Sequence, residues 1–448
     1  MSAETIFALA SAPGRAGIAV IRVSGPKAAK ALARLGVTGP PPPRRAARAV
    51  FSDPISGEAL DDGLVIWFPA PHSFTGEDVA ELHVHGGRAV IDSVLAALAG
   101  IGGLRPAEPG EFTRRAFDND KLDLTQAEAL ADLVDAETRA QQRQALRQMG
   151  GALKELYDDW RQRMVQALAH LEAVIDFPDD DLPADVADKV WGEVRELERR
   201  IADHLDDARR GERIREGLSI AILGPPNAGK SSLLNALARR EAAIVAATPG
   251  TTRDVIEVHM DLGGYAVTLA DTAGLRAAGD AIEDEGIRRA RRRAEAADIR
   301  LIVFDGAVYP ARDRETETLI DDASLVVVNK SDLLDQGREW EIDADDGWRV
   351  THFVSVLTGF GLSAMLQRLE ALIKTKVEGG ALAPLTRARH RRALEECLAA
   401  LARSQTAALP ELAAEDLRLA ARALGRLTGR IDVEDVLDAV FRDFCIGK

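Results

Sequence analysis

Cysteine is nearly missing from this chain: Cys397 and Cys445 are the two among 448 residues. So sparse a pair makes no disulfide framework, which sets aside the stapled secreted domains and fits a reducing cytosol. The histidines are scattered, so no clustered Cys/His spacing marks a structural zinc site. Long apolar runs are missing too. No stretch of about 18 residues is apolar throughout, so no membrane-spanning helix is expected. The opening MSAETIFALASAPG carries an acidic residue and no basic, apolar leader, and a cytoplasmic protein is the expectation. Positive charge is the third shortage. A net charge of −15 argues against a broadly basic nucleic-acid coat and leaves room only for a local basic patch.

What is present changes texture along the chain, and the length suits roughly two to four domains. Residues 1–120 are rich in Gly and Pro, with strand-like runs at 18–23, 63–68 and 80–84 and a helical stretch at 86–98. That pattern predicts an α+β domain with antiparallel pairing. Residues 39–43, Gly followed by four prolines, form a surface loop. Breakers then thin out. Leu146, Met149, Leu153, Leu156, Trp160, Met164, Ala167, Leu171 and Val174 recur every three or four positions. This spacing predicts one long helix with a core-facing stripe, interrupted at 177–183 and followed by a second helix over 184–210.

Beyond Gly217 the apolar runs at 218–223, 266–270, 301–304 and 325–328 suit a parallel sheet covered on both faces. Helical spacing returns over 385–442 in Leu394, Ala400, Leu401, Leu417, Ala420 and Leu424. The division expected is therefore 1–120, 121–216, 217–378 and 379–448, with an α/β domain inserted into a discontinuous helical one. The two ends of an inserted domain usually lie close together.

The inserted segment carries the chemistry. Gly224-Pro225-Pro226-Asn227-Ala228-Gly229-Lys230-Ser231 satisfies G-x-x-x-x-G-K-[ST] between a strand-like run and the helical Ser232-Leu233-Leu234-Asn235. Glycines let the backbone wrap phosphate oxygens, and the helix amino end adds N–H donors. Lys230 is placed to span the β- and γ-phosphates, and Ser231 to ligate Mg²⁺.

Asn329-Lys330-Ser331-Asp332 closes the run 325–328. A carboxylate at Asp332 accepts from both N1–H and the exocyclic amine of guanine, donors that adenine lacks there. Asn329 holds the loop and contacts the base, and Ser355 begins a second base-contacting loop with a looser match at Val356. Asp271-Thr272-Ala273-Gly274 closes another strand, with Asp271 placed to hold Mg²⁺ through water and the Gly274 N–H to meet the γ-phosphate. In Gly250-Thr251-Thr252-Arg253-Asp254 the Mg²⁺ hydroxyl is assigned to Thr252. Both loops are of the kind that reorders when the γ-phosphate leaves. Leu275 stands where a Ras-like enzyme offers Gln, and leucine cannot orient water. The acidic run 280–285 holds candidates, but reads equally as a solvated helix start.

With these residues in view, the whole chain resembles the tRNA-modification GTPases called MnmE or TrmE. The resemblance rests on residues 12–17 (APGRAG), 22–25 (RVSG), His85-Gly86-Gly87, 109–117 (PGEFTRRAF) and 121–129 (KLDLTQAEA), then Ile431-Asp432 and the final FCIGK. It implies a tetrahydrofolate-binding-like amino-terminal domain that forms a homodimer, a discontinuous α-helical domain and an inserted Ras-like P-loop GTPase domain. It implies work with an FAD-containing partner, MnmG or GidA, as a heterotetramer that adds an aminomethyl-type group to C5 of the tRNA wobble uridine. The one-carbon unit would come from 5-formyltetrahydrofolate or a relative, contacted by Arg22, Glu81, Lys121 and Lys448. K⁺ would sit with Asn227, Thr251 and the backbone at Ala246 and Thr248, and Glu283 would orient water through a bridge. Lys230, Thr251, Asp271 and Glu283 are thus the expected catalytic set. Cys445 reads as a small apolar residue, with a functional role left open by the match at the terminus. A ribosome-assembly GTPase is the competing expectation. An RNA-binding appendage, often basic, would favour it; here the appended segments are helical and acidic.

Overall fold

The computed structural model describes residues 4–176, 186–240, 257–271, 295–311, 313–334, 351–379 and 383–431, and beyond these 437, 440, 441, 444 and 447. Two compact units emerge: residues 1–131, 148–165 and 421–448 form one, and 132–147 with 166–420 the other.

The first unit holds a six-stranded sheet in the order β3-β4-β5-β2-β1-β6. Its strands are β1 (Thr5–Leu9), β2 (Ile18–Ser24), β3 (Ala47–Ser52), β4 (Ala59–Phe68), β5 (Val79–His85) and β6 (Leu104–Pro106). Neighbours are antiparallel except β1 and β6. Period-two alternation sends Ala19, Ile21 and Val23 of β2 and Ala80, Leu82 and Val84 of β5 into one core with helices α1 (Ala28–Arg34) and α2 (Arg88–Ala99). Intervening residues, Arg22 and Glu81 among them, therefore face the other side. There Ile6, Ala8, Ala107 and Phe112 bury a smaller cluster beneath Phe74, with Phe112 supplied by α3 (Glu111–Asp118). The chain end returns to this unit, where Leu437, Phe441 and Phe444 pack on Leu124 and Ala127 of α4 (Leu124–Val134).

The apolar stripe expected on one long helix is carried by two, α5 (Arg139–Met149) and α6 (Ala152–Asp176). Gly150 and Gly151 break it, Gly151 with a left-handed φ of 95°. Leu153, Tyr157, Trp160, Met164, Ala167 and Leu171 are the buried positions on α6, whereas Leu146 on α5 is exposed. Helix α7 (Val186–Leu205) packs against the later helix Ala388–Thr406.

The second unit's sheet runs β12-β11-β10-β7-β9-β8. Strands β7 (Leu218–Leu223), β9 (Tyr265–Asp271), β10 (Ile299–Asp305), β11 (Ser324–Asn329) and β12 (Thr351–Phe353) are parallel, and β8 (Glu257–Leu262) is antiparallel to β9. Alternate residues of each central strand enter separate cores. Leu218, Ile220, Ile222, Val303 and Val327 meet α9 (Lys230–Arg240) and α10 (Leu362–Val377), while Leu223, Phe304, Val326, Val328 and Phe353 form the opposite layer. That double coverage is why these strands read as unbroken apolar runs.

The chain enters this α/β segment through α8 (Arg210–Glu216). It leaves alongside, for a Cβ added to Gly211 would stand 2.0 Å from the Leu385 carbonyl oxygen. Charges fasten both crossings. Asp132 pairs with Arg387 at 2.6 Å and Arg215 at 3.3 Å, and Arg391 pairs with Asp207 at 2.7 Å. Arg213 reaches Asp298 at 2.7 Å, whose other oxygen accepts from the Ser219 N–H, so α8 is tied to the start of β7. Burial pushes His204, beside Asp207, down to about 4, against the pull of that carboxylate.

Candidate functional site

The carboxyl ends of β7, β10 and β11 converge where connections leave in opposite directions along the sheet, the position at which open α/β sheets bind ligands. The loop 224–229 occupies it between β7 and α9. Its shape requires glycine twice. Gly224 has φ 151° and a Cβ there would lie 2.1 Å from the Val303 oxygen; Gly229 has φ 89° and would meet Asn329 Nδ2 at 2.2 Å. Asn227 adopts φ 65°, a left-handed conformation that asparagine tolerates better than most residues, and is exposed. Ala228 is buried under the loop, and Ser231 and Ser232 are exposed in the first turn of α9.

Lys230 is 7% exposed, and its Nζ donates to the carbonyls of Gly224 and Pro225 at 2.8 Å each. A cation is thereby fixed on the glycine-containing loop that leads into the amino end of α9, a setting suited to polyphosphate.

The second loop follows β11. Asn329, 2% exposed, donates from Nδ2 to the Ala228 carbonyl at 3.0 Å and accepts the Val356 N–H at 3.3 Å. One side chain thus braces the phosphate loop against the loop after β12. The Val356 backbone makes this contact, so the side chain at 356 has latitude. The fully buried Ser355 donates from Oγ to Asp332 Oδ1 at 2.5 Å, fixing the carboxylate plane at the exposed rim. Lys330 has φ 61° and pairs through Nζ with Asp305 Oδ2 at 2.6 Å. Asp305 went unnoticed in the sequence, although it closes its apolar strand as Asp271 and Asn329 close theirs.

Asp271 ends β9 with its backbone paired to Ile222, one residue before Leu223, and so stands at the same edge of the sheet. Its side chain and residues Ala246, Thr248, Thr251, Thr252, Thr272, Ala273, Gly274 and Glu283 lie outside the described part. Lys448 and Cys445 lie outside it too. Cys397 is described and fully buried, and burial pushes its thiol up to about 12, which makes it inert.

In the first unit, Arg22 and Glu81 are cross-strand partners of β2 and β5, joined from Nε at 3.1 Å and Nη2 at 2.9 Å to the same oxygen. The Arg22 guanidinium stands 5.4 Å from the Phe74 ring centre and 5.7 Å from that of Phe112. Neither ring was singled out in the sequence. Lys121 lies beside Gly76, whose added Cβ would meet its Cε at 3.1 Å, and Gly447 backs onto Leu9 of β1. Three of the four residues grouped by resemblance thus lie in this unit, and the neighbour of the fourth rests on its sheet.

A phosphate-cradling loop braced by an asparagine to a carboxylate-bearing loop, on a mostly parallel sheet, defines a P-loop domain of the guanine-nucleotide class. Family comparison agrees. Residues 124–445 match the MnmE helical domain and residues 5–121 match the GTP-binding protein TrmE N-terminus. A tRNA modification GTPase MnmE from Paramagnetospirillum magneticum is 58% identical over 99% of this chain and 100% of its own length. The protein of that name from Rhodospirillum rubrum is 57% identical over 100% of each. A mitochondrial protein of Danio rerio named as the GTPB3 subunit of a 5-taurinomethyluridine tRNA synthase is 47% identical over 99% of this chain and 93% of its own. The chain belongs to the MnmE family of tRNA modification GTPases. No helix among the described residues is long and apolar enough to cross a membrane.

Proposed function

We propose that GTP hydrolysis by this chain drives, together with an FAD-containing MnmG-type partner, aminomethyl-type modification at C5 of the tRNA wobble uridine. The observation that carries the reading is the bracing of the phosphate loop to the base loop through Asn329, within a chain of this family. The loop for the phosphates and the loops for the base are thereby tied together through one side chain.

Each group plays a separable part. Amides of 227–232 and the Lys230 ammonium bind the β- and γ-phosphates, and Asp332 with Ser355 selects guanine. Ser231, Thr252 and Asp271 would hold Mg²⁺. The fit is supported by the common edge at which Ser231 and the Asp271 backbone stand. Bound there, Mg²⁺ would neutralise phosphate charge. Asn227 and Thr251, with the backbone at Ala246 and Thr248, would hold K⁺; the exposed, left-handed Asn227 presents an amide oxygen suited to it. Glu283 orients the attacking water, the task leucine at 275 cannot perform. Gly274 meets the γ-phosphate through its N–H, and its loop, with Thr272 and Ala273, reorders when that phosphate leaves.

The segment 1–120 serves in this reading as folate-binding and homodimerising domain, 121–216 with 379–448 as the helical domain and 217–378 as the G domain. Arg22, Glu81, Lys121 and Lys448 contact a formyl-tetrahydrofolate. An acid–guanidinium pair framed by Phe74 and Phe112 offers polar and ring contacts suited to the flat pterin of a folate, whose N–H groups an acid can bind, while cations can meet the carboxylates of its glutamyl tail. The setting is the cytoplasm.

The test is complementation. Cells lacking the protein should carry unmodified wobble uridine, read by mass spectrometry of digested tRNA, and the full-length chain should restore the modification. Glu283→Ala should bind GTP nearly as before, hydrolyse it about 10²-fold more slowly, and fail to restore. Full modification in the deletion strain would remove the proposed role, whereas equal losses in binding and turnover would recast Glu283 as structural.

A further inference from the structure

Asp305 is not part of either nucleotide loop, yet the fold brings it to the base-recognising one. It ends β10 in register with Asn329, which ends β11. The backbones that follow touch: a Cβ on Gly306 would lie 2.7 Å from the carbonyl oxygens of both Asn329 and Lys330. The Asp305 carboxylate is held from two sides. Oδ1 accepts the Ala307 N–H at 2.9 Å, and Oδ2 takes the Lys330 ammonium at 2.6 Å. Side-chain exposures of 16% for Asp305 and 34% for Lys330 make this a half-buried, charge-assisted bond rather than a loose surface pair.

What the pair prevents matters as much as what it joins. Lys330 stands two residues before Asp332, at the start of the short turn Ser331–Leu333. A lysine at that distance has the reach to pair with Asp332 and cover the oxygens that guanine needs. The left-handed backbone at Lys330 and the carboxylate across the gap direct its ammonium elsewhere. Asp332 meanwhile receives the neutral Ser355 hydroxyl, which orients the carboxylate without bringing a positive charge to it. We propose that Asp305 is a positioning residue for guanine selectivity: it captures the Lys330 ammonium and so reserves the Asp332 carboxylate for the base.

The inference rests on reading Asn329–Asp332 as the base loop, and the test separates the two. Fluorescent GDP titration and GTP turnover would be measured on the full chain for wild type, Asp305→Asn, Lys330→Met and the double variant. Asparagine keeps the oxygen that accepts from Ala307, so the turn survives while the charge is lost. Asp305→Asn should weaken GDP about tenfold with turnover at saturating GTP unchanged, and the double variant should bind no worse than Lys330→Met alone. Wild-type affinity in Asp305→Asn, or losses that multiply in the double variant, would overturn the role, the second outcome marking Asp305 as a structural cap. Failure of the wild type itself to prefer GDP over ADP would instead strike the base-loop reading beneath it.

Discussion

Asp332→Asn should lose GTP by roughly 10²-fold and gain xanthosine triphosphate as its better substrate. The carboxylate offers acceptors to two guanine donors, N1–H and the 2-amino group. An asparagine presents one acceptor and one amide donor, and the amide donor faces the guanine amine. A donor left unmet in a desolvated site costs about 1–3 kcal/mol, more where a charge is involved, and about 1.4 kcal/mol is a factor of ten. Xanthine carries a carbonyl at that position and accepts from the new amide. Ser355 holds the side chain at 332 in plane, so the substitution alters hydrogen-bond polarity with little change in placement. Competition between the triphosphates in a steady-state phosphate-release assay reads the switch. Unaltered preference for GTP would remove Asp332 from base recognition.

Lys230→Ala is expected to be more damaging still. The ammonium is buried, and it spans the Gly224 and Pro225 carbonyls at the mouth of the loop. Its removal takes away the loop's own positive charge and leaves two inward carbonyls short of a donor. Loss of one preorganised charge-stabilising donor typically costs about 10²–10³-fold in turnover, and ground-state grip on the β-phosphate falls as well. Titration with labelled GDP and single-turnover hydrolysis should show both losses, with the circular dichroism of the folded chain preserved. Binding and turnover near wild type would mean that the phosphates sit elsewhere.

How much of the fold and site is legible in the sequence depends on how local each feature is. The phosphate loop and base loop are contiguous motifs behind apolar strands, and both lie at strand ends in the folded chain. Strand β8 was overlooked although the signal was present: Val258 and Met260 alternate with polar residues before Gly263-Gly264, both at positive φ, as a two-residue hairpin requires. In the Gly- and Pro-rich beginning, β1, β3, β6, α1 and α3 were missed because each is short and takes its stability from tertiary packing. The contact between Arg22 and Glu81 depends on the register of β2 with β5, across 59 residues, and no local spacing encodes it. The pair Asp305–Lys330 is equally non-local, set by the pairing of β10 with β11. Residues 385–442 read as helix with no sign of a division, yet 421–448 group with the amino-terminal unit, where Leu437, Phe441 and Phe444 pack. Aromatic residues spaced for packing do not announce which distant surface they will meet.

Isothermal titration of the full chain with GDP and with ADP, Mg²⁺ present, addresses the central claim most directly. The arrangement of Lys230, Asn329 and Asp332 requires tight, saturable uptake of GDP and, for ADP, binding weaker by at least about 10²-fold. Heat of binding from ADP matching that from GDP, or none from either on folded protein, would contradict it.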